Sequence, residues 1–232
     1  MNRSLFLLIF LLPNFVGALP IDKAQPIHVK AQAVAVDEKK GYSIYTGSAS
    51  VTQGLLALSA EKIQIFNDQN SATKIIAEGD EKNRAHYQQT RPGQQIPIEA
   101  DADNITYLIK VEELHLKDNA SVSQGLLSLS AETIKIFNKQ TEVSKIVAQG
   151  DEKNRARYQQ IKSNQSSFIE ATAQNITYLI KTQMLYLKGN ALLVQGTDSF
   201  SGATLDYDIK NDKVVVKKSK DGKQRVRFKI KL

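Results

Sequence analysis

Residues 50–89 read SVTQGLLALSAEKIQIFNDQNSATKIIAEGDEKNRAHYQQ, and residues 121–160 read SVSQGLLSLSAETIKIFNKQTEVSKIVAQGDEKNRARYQQ. The two stretches are identical at 28 of 40 positions, and an offset of 71 residues aligns them without a gap. The same offset aligns IEADADNITYLIK at 98–110 with IEATAQNITYLIK at 169–181, where 11 of 13 positions match. Self-similarity at one fixed period predicts a stack of units that bury their apolar faces against their neighbours.

A third, more diverged copy follows at the same offset. Residues 118–125 correspond to 189–196 and, with one deletion, residues 155–158 correspond to 225–228. Residues 27–232 are therefore predicted to form one continuous domain, whose three repeats cover 27–97, 98–168 and 169–232.

Each repeat alternates apolar and polar residues with the period of a β-strand. Ile105 and Tyr107 share one face of a segment, and Leu129 lies on the apolar face of another. Such alternation is typical of half-buried strands, and no stretch outside residues 1–20 has a helical pattern. Short strands about every 12 residues predict an all-β sandwich, jelly roll or solenoid.

The apolar positions change parity once inside a strand, between Leu129 and Ile134. Because such a change needs an extra residue, a β-bulge is predicted near residues 132–133 and, one repeat earlier, near 61–62. Turn-forming residues are expected to separate the strands at 117–119, 124–125, 138–140 and 150–154. Each repeat is expected to supply five or six strands, which would add about three layers, roughly 14 Å, to the stack.

The first twenty residues have the pattern of an export signal. Arg3 precedes an apolar run at 5–12 that Pro13 breaks, and small residues follow up to Ala18. The run is much shorter than the roughly 20 residues of a membrane span. We expect cleavage after Ala18, which makes 1–18 a signal peptide and 19–26 an N-terminal tether. The chain has no cysteine, so its exported form would be stabilised by its core alone.

The composition gives no sign of catalysis. His28, His86 and His115 are replaced by other residue types at the equivalent repeat positions, and no nucleophile, nucleotide-binding or metal-ligand motif is present. The sequence therefore predicts no enzyme activity, no cofactor and no metal. The repeated GDEKNR at 79–84 and 150–155 is interpreted as a solvated turn, or alternatively as a contact for phosphate or sugar groups at the edge of a groove.

The charge indicates an anionic partner. The net charge is +7, and nine basic residues lie between positions 213 and 231. Basic tails often bind nucleic acid, but an exported protein rarely meets any, so anions at a membrane are the preferred interpretation. The alternation leaves two possibilities for the interior, since the apolar faces of two sheets form either a sealed core or a groove for an apolar ligand.

Several segments together resemble a known family. These are IHVKA at 27–31, YTGSASVTQG at 45–54, LSAEKI at 58–63 and IAEG at 76–79, and the closing segments IEA at 169–171, ITY at 176–178, LKGNA at 187–191 and FSGATLDY at 200–207. They resemble the LptA family of periplasmic lipopolysaccharide-transport proteins, with its OstA-like N-terminal domain, over essentially the whole chain after residue 26. Relative to the family pattern, the chain contains one additional copy of the repeat.

The resemblance implies an open, slightly twisted β jelly roll in the periplasm. Its apolar groove would carry the acyl chains of the lipid A part of lipopolysaccharide. Such proteins associate head to tail and connect an anchored inner-membrane component to an outer-membrane component, without chemistry or cofactor. The alternative is a structural β-repeat scaffold with a closed dry core and no lipid ligand.

The groove is assigned to apolar positions that are equivalent between repeats. One set is expected on one side, with a second set on strands that face it. The first set is Leu58, Ile63, Ile65, Leu129, Ile134, Ile136, Phe200, Leu205 and Tyr207, and the facing set is Ile105, Tyr107, Ile176 and Tyr178.

The two ends of the stack are expected to be unpaired strand edges, which can pair with another chain. The first edge is placed at 27–36 and the last at 214–216 together with 225–232. The apolar residues assigned to these docking edges are Ile27, Val29, Val34, Val36, Val214, Val216, Val226, Phe228 and Ile230.

Overall fold

The computed structural model describes residues 25–68, 71–91, 93–139, 142–151, 153–161, 168–219 and 225–230. The predicted signal peptide and most of the tether lie outside this part of the chain. The described residues form an all-β structure, in agreement with the sequence. The strands are β1 His28–Lys30, β2 Ala33–Asp37, β3 Tyr42–Gln53, β4 Leu56–Asp68, β5 Ser71–Glu78, β6 Ala85–Gln89, β7 Ile98–Ala102, β8 Asn104–Leu108, β9 Glu113–Gln124, β10 Leu127–Lys139, β11 Glu142–Gln149, β12 Ala156–Ile161, β13 Phe168–Ala173, β14 Asn175–Leu179, β15 Met184–Gln195, β16 Asp198–Asp208, β17 Lys213–Lys217 and β18 Arg227–Lys229.

The strands build two arms that meet along a corner. The long strands β3, β4, β9, β10, β15 and β16 run through both arms, whereas each of the other strands belongs to one arm. Arm A adds β2, β5, β8, β11, β14 and β17, and arm B adds β1, β6, β7, β12, β13 and β18. Every pairing is antiparallel, so each arm is a stack of twelve described strands in alternating directions.

The pairing pattern of β3–β8 recurs in β9–β14, and β15–β18 begin it again. Six strands per repeat agree with the sequence prediction. The expected three layers per repeat are wrong, because two of the six strands pass through both arms and are counted in each. A repeat therefore contributes four layers to each arm, or about 19 Å along the stack at 4.8 Å per strand.

The corner is made by irregular pairing where the parity change was predicted. Between β9 and β10 the register shifts between Ala131 and Thr133, and the equivalent shift occurs in the first repeat. The extra residue, however, lies on β9 rather than on β10: Asp118 and Asn119 together lie opposite the single residue Glu132. Residues 117–119 were expected to be a turn, and they are instead a bulge inside a continuous strand.

Left-handed backbone at the corner explains a paired substitution between repeats. The first bulge residue has φ of +82° at Gly47 and Gly189 and +65° at Asp118. At Gly47, an added Cβ would lie 2.6 Å from the side-chain oxygen of Gln32. The equivalent of that glutamine in the middle repeat is the shorter Asp103, which leaves room for the side chain of Asp118.

The core lies between the inner faces of the arms and narrows toward the corner. Alanines fill the inner positions of arm B nearest the corner, where the two arms are close together. They are Ala49, Ala60, Ala85, Ala102, Ala120, Ala156, Ala173 and Ala191. On arm B, larger side chains such as Leu58 and Leu129 lie farther from the corner, whereas on arm A large side chains such as Ile63 already lie beside it. In the described part of the chain, no helix is long and apolar enough to cross a membrane.

Candidate functional site

Two continuous rows of inward side chains follow arm A from its first strand to its last. Each row takes one residue from each of the twelve strands. Apart from the tyrosines, Ser43 is the only residue in these two rows with a polar side chain. The row nearer the corner is Val34, Tyr45, Ile63, Ala77, Ile105, Leu116, Ile134, Ala148, Ile176, Leu187, Leu205 and Val216. The row nearer the open side of the wedge is Val36, Ser43, Ile65, Ile75, Tyr107, Leu114, Ile136, Ile146, Tyr178, Leu185, Tyr207 and Val214.

Arm B presents a matching row on the other side of the interior. It is Val29, Val51, Leu58, Tyr87, Ala100, Val122, Leu129, Tyr158, Ala171, Leu193, Phe200 and Phe228. Together the three rows, which we call the inner rows, run through all the repeats and form a surface that is apolar except at Ser43 and the tyrosine hydroxyls.

Tyrosines connect the two arms at the open side of the wedge, which we call the mouth. The ring centroids of Tyr158 on arm B and Tyr178 on arm A are 5.5 Å apart in an edge-to-face arrangement, and those of Tyr87 and Tyr107 are 6.2 Å apart. Burial raises the pKa of Tyr158, Tyr178 and Tyr207 above the ordinary value for a phenol. These phenols are therefore neutral at physiological pH, and the interior between the arms carries no charge from them.

A second row at the mouth supplies polar partners for these phenols. Along the rim of arm B, glutamines alternate with aliphatic residues from strand to strand, as in Gln124, Leu127 and Gln160. The hydroxyl of Tyr158 donates to the side-chain oxygen of Gln160 at 2.6 Å, and the hydroxyl of Tyr87 donates to that of Gln89 at 2.9 Å. The rim thereby satisfies buried hydroxyls and leaves the rest of the interior to apolar contacts.

The residues assigned to the groove all lie on the inner rows, but their division into facing sets is wrong. Ile105, Tyr107 and their equivalents belong to arm A, beside Ile63 and Ile134 rather than opposite them. The residues that do face arm A are Leu58, Leu129 and Phe200 on arm B. Alternation along a strand shows which of its residues face inward. The arm to which those residues belong depends on which strands pair with one another.

Sequence reasoning missed part of the site. Tyr87 and Tyr158, which close the interior from arm B, were not assigned to it, and neither were Leu116, Leu187 and Leu193. The two tyrosines could have been found from the repeated motif RAHYQQ and RARYQQ. Its alanine and tyrosine are two residues apart, so they lie on the same apolar face of a strand.

The interior is closed along its length by the described residues and open at its ends. Of the thirteen assigned groove residues, all except the partly buried Phe200 are at most 7% exposed. At the ends the same rows reach the surface: Val34 is 60% exposed, Val36 63% and Phe228 72%. A depression of about 520 Å³ also opens at the mouth, and its lining includes Ile96 of the first repeat, Leu127 of the second, and Tyr178 and Ile180 of the third.

The docking edges predicted from the sequence are the ends of the stack. The first edge is divided into β1 on arm B and β2 on arm A, both paired with β3, and not a single strand over 27–36. The last edge consists of β17 on arm A and β18 on arm B, both paired with β16. Within the described residues, no strand pairs with the other side of β1, β2, β17 or β18. The assigned edge residues within these four strands all lie on the inner face. They are Val29, Val34, Val36, Val214, Val216 and Phe228.

The repeated GDEKNR motif forms an exposed turn at the corner. The carboxylate of Asp80 accepts the backbone N–H groups of Lys82 at 2.8 Å and Asn83 at 2.6 Å, and the bond from Asn83 is the main cause of its lowered pKa. Arg155, at the end of the second copy, donates to the carbonyl oxygen of Asn190 in the neighbouring bulge at 2.8 Å. The interpretation as a turn is confirmed. The alternative, a contact for phosphate or sugar groups, stays a prediction, and the motif that would make this contact lies at the corner, on the side opposite the mouth.

The histidines have ordinary strand positions. His86 lies 2.9 Å from Asp101 and His115 lies 3.0 Å from Glu113 on the outer faces. Among the described residues, no group of three or more histidine, cysteine, aspartate or glutamate side chains is placed to hold a metal ion.

The fold and its interior define a class of protein: an elongated β jelly roll with an uncharged apolar interior that is continuous from end to end. Comparisons with known proteins give the family. A sequence model of the family described as LptA/(LptD N-terminal domain) LPS transport protein matches residues 28–126 and 119–213, which is most of the chain. The chain belongs to this family.

Individual relatives resemble part of the chain. The lipopolysaccharide export system protein LptH of Pseudomonas aeruginosa is 28% identical over 126 residues, which are 54% of this chain and 70% of LptH. The lipopolysaccharide export system protein LptA of Escherichia coli K12 is 27% identical over 103 residues, which are 44% of this chain and little more than half, 55%, of LptA.

A solved structure has the same fold over somewhat more than half of this chain. The crystal structure of LptH, the LptA-homologous periplasmic component of the lipopolysaccharide transport device of Pseudomonas aeruginosa, superposes with a TM-score of 0.51 at 27% identity. The superposition covers 57% of this chain and 87% of LptH.

Proposed function

We propose that this protein binds lipopolysaccharide through the acyl chains of lipid A and passes it across the periplasm without chemical change. It would be one part of a protein bridge between an anchored inner-membrane component and an outer-membrane component. The observation that carries the proposal is the three unbroken inner rows, which reach the surface at both ends of the stack. Membership of a lipopolysaccharide-transport family supports the same conclusion.

Equivalent positions in successive repeats suit transport better than storage. Ile63, Ile134 and Leu205 occupy the same place in the three repeats, so an acyl chain would meet the same surface after every repeat. Burial of apolar surface favours binding by about 25 cal/mol per Å² wherever it occurs. A ligand that moves along the rows therefore exchanges one set of contacts for an equivalent set and is not held at one point.

Entry of acyl chains requires the arms to separate at the mouth. The tyrosine pairs and the buried inner rows leave no room for a lipid in the closed interior. The depression lined by Leu127, Tyr178 and Ile180 is a place at the mouth from which this separation could begin. Separation would expose the inner rows on both arms while the corner, which holds the backbone bulges, acts as the hinge.

The closed interior also favours a second candidate, a structural β-repeat scaffold with a dry core and no lipid ligand. The two functions differ in whether any inward residue ever contacts lipid. A photo-crosslinking side chain such as p-benzoylphenylalanine can be placed at Tyr178, which faces inward, and at Tyr186, which faces outward on the neighbouring strand and is 39% exposed. Both sites already carry an aromatic ring, so the two variants are matched in size.

With labelled lipopolysaccharide, we expect crosslinks from position 178 and none from position 186. Crosslinks from Phe200, the partly buried aromatic residue on arm B, would show that the ligand contacts both arms. If neither Tyr178 nor Phe200 gives a crosslink while the variants remain folded, the scaffold is the correct function. Crosslinks from position 186 alone would place the lipid on the outer surface and contradict the proposal.

We also propose that the molecule associates end to end through β17 and β18 at one end and β1 and β2 at the other. Because strand directions alternate through each arm, the first strands of a following molecule would continue both stacks as antiparallel neighbours. Such a contact is heterologous and extends the inner rows from one molecule into the next.

Deletion of residues 225–232 tests the docking edge. Among the described residues of this segment, strand pairing with the body of the molecule is limited to the short strand β18, so the truncated protein should remain folded. Sedimentation of the two proteins over a range of concentrations should show association of the full chain and a monomer for the truncated one. Association that is unchanged by the truncation would mean that this end is not the docking edge.

A further inference from the structure

The last two strands occupy, relative to β16, the place that β11 and β12 occupy relative to β10. Phe228 pairs with Phe200 as Tyr158 pairs with Leu129, and Arg227 pairs with Ser201 as Arg157 pairs with Ser130. The internal pairs β12–β13 and β11–β14 therefore provide a template for what the last edge would bind. The first edge has the matching role, since β1 and β2 correspond to β13 and β14 at twice the repeat offset.

Successive repeats meet on arm B at the strand pairs β6–β7 and β12–β13, which we call joints, and at each joint the outward side chains pair a basic residue with a carboxylate. At the first joint, His86 on β6 lies 2.9 Å from Asp101 on β7. At the second joint, Arg157 on β12 lies 3.2 Å from Glu170 on β13. In both cases, the preceding strand carries the basic group and the following strand carries the carboxylate.

A second copy of this chain would not provide that complement. In the register of the internal joints, Arg227 lies opposite the position of Lys30 and Lys229 lies opposite the position of His28, so basic groups meet basic groups. On arm A the register places Lys213 opposite Asp37, but Lys40 of the same chain already lies 3.5 Å from the Asp37 carboxylate. Like charges directly opposite each other on neighbouring strands destabilise the pairing.

We propose that the last edge, β17 with β18, selects a partner β-edge that carries carboxylates opposite Arg227 and Lys229, in preference to a second copy of this chain. Such a partner has outward residues of the Glu99 and Asp101 or the Glu170 type on the first strand of its arm B. The inner faces of the joint are apolar in any case, because Val214, Val216 and Phe228 would meet apolar positions. Charge on the outer face thus distinguishes partners that the apolar rows cannot. The inference rests on the end-to-end docking proposed above.

A charge-exchange cycle with this chain alone tests the inference. His28→Glu with Lys30→Glu makes the first edge acidic, and Arg227→Glu with Lys229→Glu makes the last edge acidic. Each double variant places carboxylates opposite basic groups when copies associate, so each should self-associate about tenfold more tightly than the parent. The quadruple variant places carboxylates opposite carboxylates and should return to weak association.

The reversal in the quadruple variant separates pairing across the joint from a general effect of net charge. Lys117→Glu with Lys188→Glu makes the same change of charge as Arg227→Glu with Lys229→Glu, but on outward positions of internal strands, and should leave self-association unchanged. The gains should decrease with added salt, because the Debye length falls to about 10 Å at 0.1 M. Sedimentation velocity over a concentration series measures all five proteins.

Two outcomes would overturn the inference: unchanged association of either double variant, or a quadruple variant that associates as tightly as the doubles. Crosslinking from position 178 in the same variants should stay at the parent level, since the exchanged residues face outward. If the parent itself gives no crosslink from position 178, lipid binding is contradicted. The charge-exchange cycle then still tests the inference about the last edge. Persistent association after deletion of residues 225–232 would contradict docking itself.

Discussion

Removal of the middle 71 residues should give a shorter protein with the same fold. Excision of residues 98–168 deletes β7 through β12 and joins Pro97 to Ile169. In the shortened chain, β6 pairs with β13 in place of β7, and β5 pairs with β14 in place of β8. The inward residues at the new joint are unchanged in type, because Ile98, Ala100, Ala102, Ile105 and Tyr107 are replaced by Ile169, Ala171, Ala173, Ile176 and Tyr178.

The contacts of the corner are also reproduced at the new joint. The carbonyl of Asn190 can accept from Arg84 as that of Asn119 does in the parent. Excision also removes Asn138, whose side-chain oxygen accepts a hydrogen bond from the buried Arg91 at 3.0 Å. On the outer face, Thr172 takes the place of Asp101 beside His86. Both partners of that pair are more than a third exposed, so its contribution is about 0–1 kcal/mol.

The size of the expected change follows from the structure. Four layers fewer in each arm shorten the molecule by about 19 Å, which small-angle X-ray scattering detects as a reduced maximum dimension. Loss of 71 residues should lower the calorimetric unfolding enthalpy by about 50 kcal/mol, at roughly 0.7 kcal/mol per residue, while unfolding stays a single transition. Crosslinking of lipopolysaccharide from position 178 should be retained.

A matched control shifts the strand register at the new junction by one residue. Excision of residues 101–170 joins Ala100 to Ala171 one residue out of register and turns the following inward residues outward. This control should lose its cooperative transition. If the in-register excision is itself unfolded, or if scattering from the parent shows two flexibly linked bodies, the continuous stack is wrong.

Three further predictions concern single residues. Ile134→Asp places an unpaired charge on a fully buried inner row and should lower the free energy of unfolding by several kcal/mol in urea titration, whereas Lys135→Asp on the outer face should have little effect. Asp118→Gly should raise stability by about 1 kcal/mol, because it relieves left-handed backbone and removes the carboxyl that raises the pKa of Glu132; a loss of stability would contradict this account of the corner. Stability should also fall as the pH rises above about 10, because unfolded tyrosine ionises there while the raised folded-state pKa keeps Tyr158 protonated, and Tyr158→Phe should reduce the slope of that fall.

Much of the fold could be predicted from the sequence because its information is periodic. The repeat offset predicts the stack, alternation predicts which side chains face inward, and the parity change in β10 predicts the corner. On β9 the corner was hidden, since Leu114, Leu116, Ala120 and Val122 keep one parity through the bulge. Two residues with left-handed backbone carry that strand around the corner without reversing its faces, and residues 117–119 consequently have the composition of a turn.

The arrangement of the site was less accessible. The face on which a residue lies can be read from the alternation along its own strand. The arm to which the residue belongs, and the residue opposite it across the interior, depend on pairing between strands far apart in the chain. This is why Ile105 and Tyr107 were placed opposite Ile134 instead of beside it. Closure of the interior depends on the separation of the arms, and that is determined by contacts such as Tyr158 with Tyr178, which no local pattern encodes.

The count of layers in a repeat has a consequence for how such a molecule can change length. Each repeat contributes four strands to each arm, and four is even. Insertion or loss of a whole repeat therefore leaves the final strand pointing in its original direction, and the terminal surfaces keep both their polarity and their side chains. With three layers, every duplication would have reversed the last strand and turned an antiparallel joint into a parallel one. Span and the direction of the terminal strands are thus independent in this architecture, and a chain can become longer by duplication while its two ends stay the same.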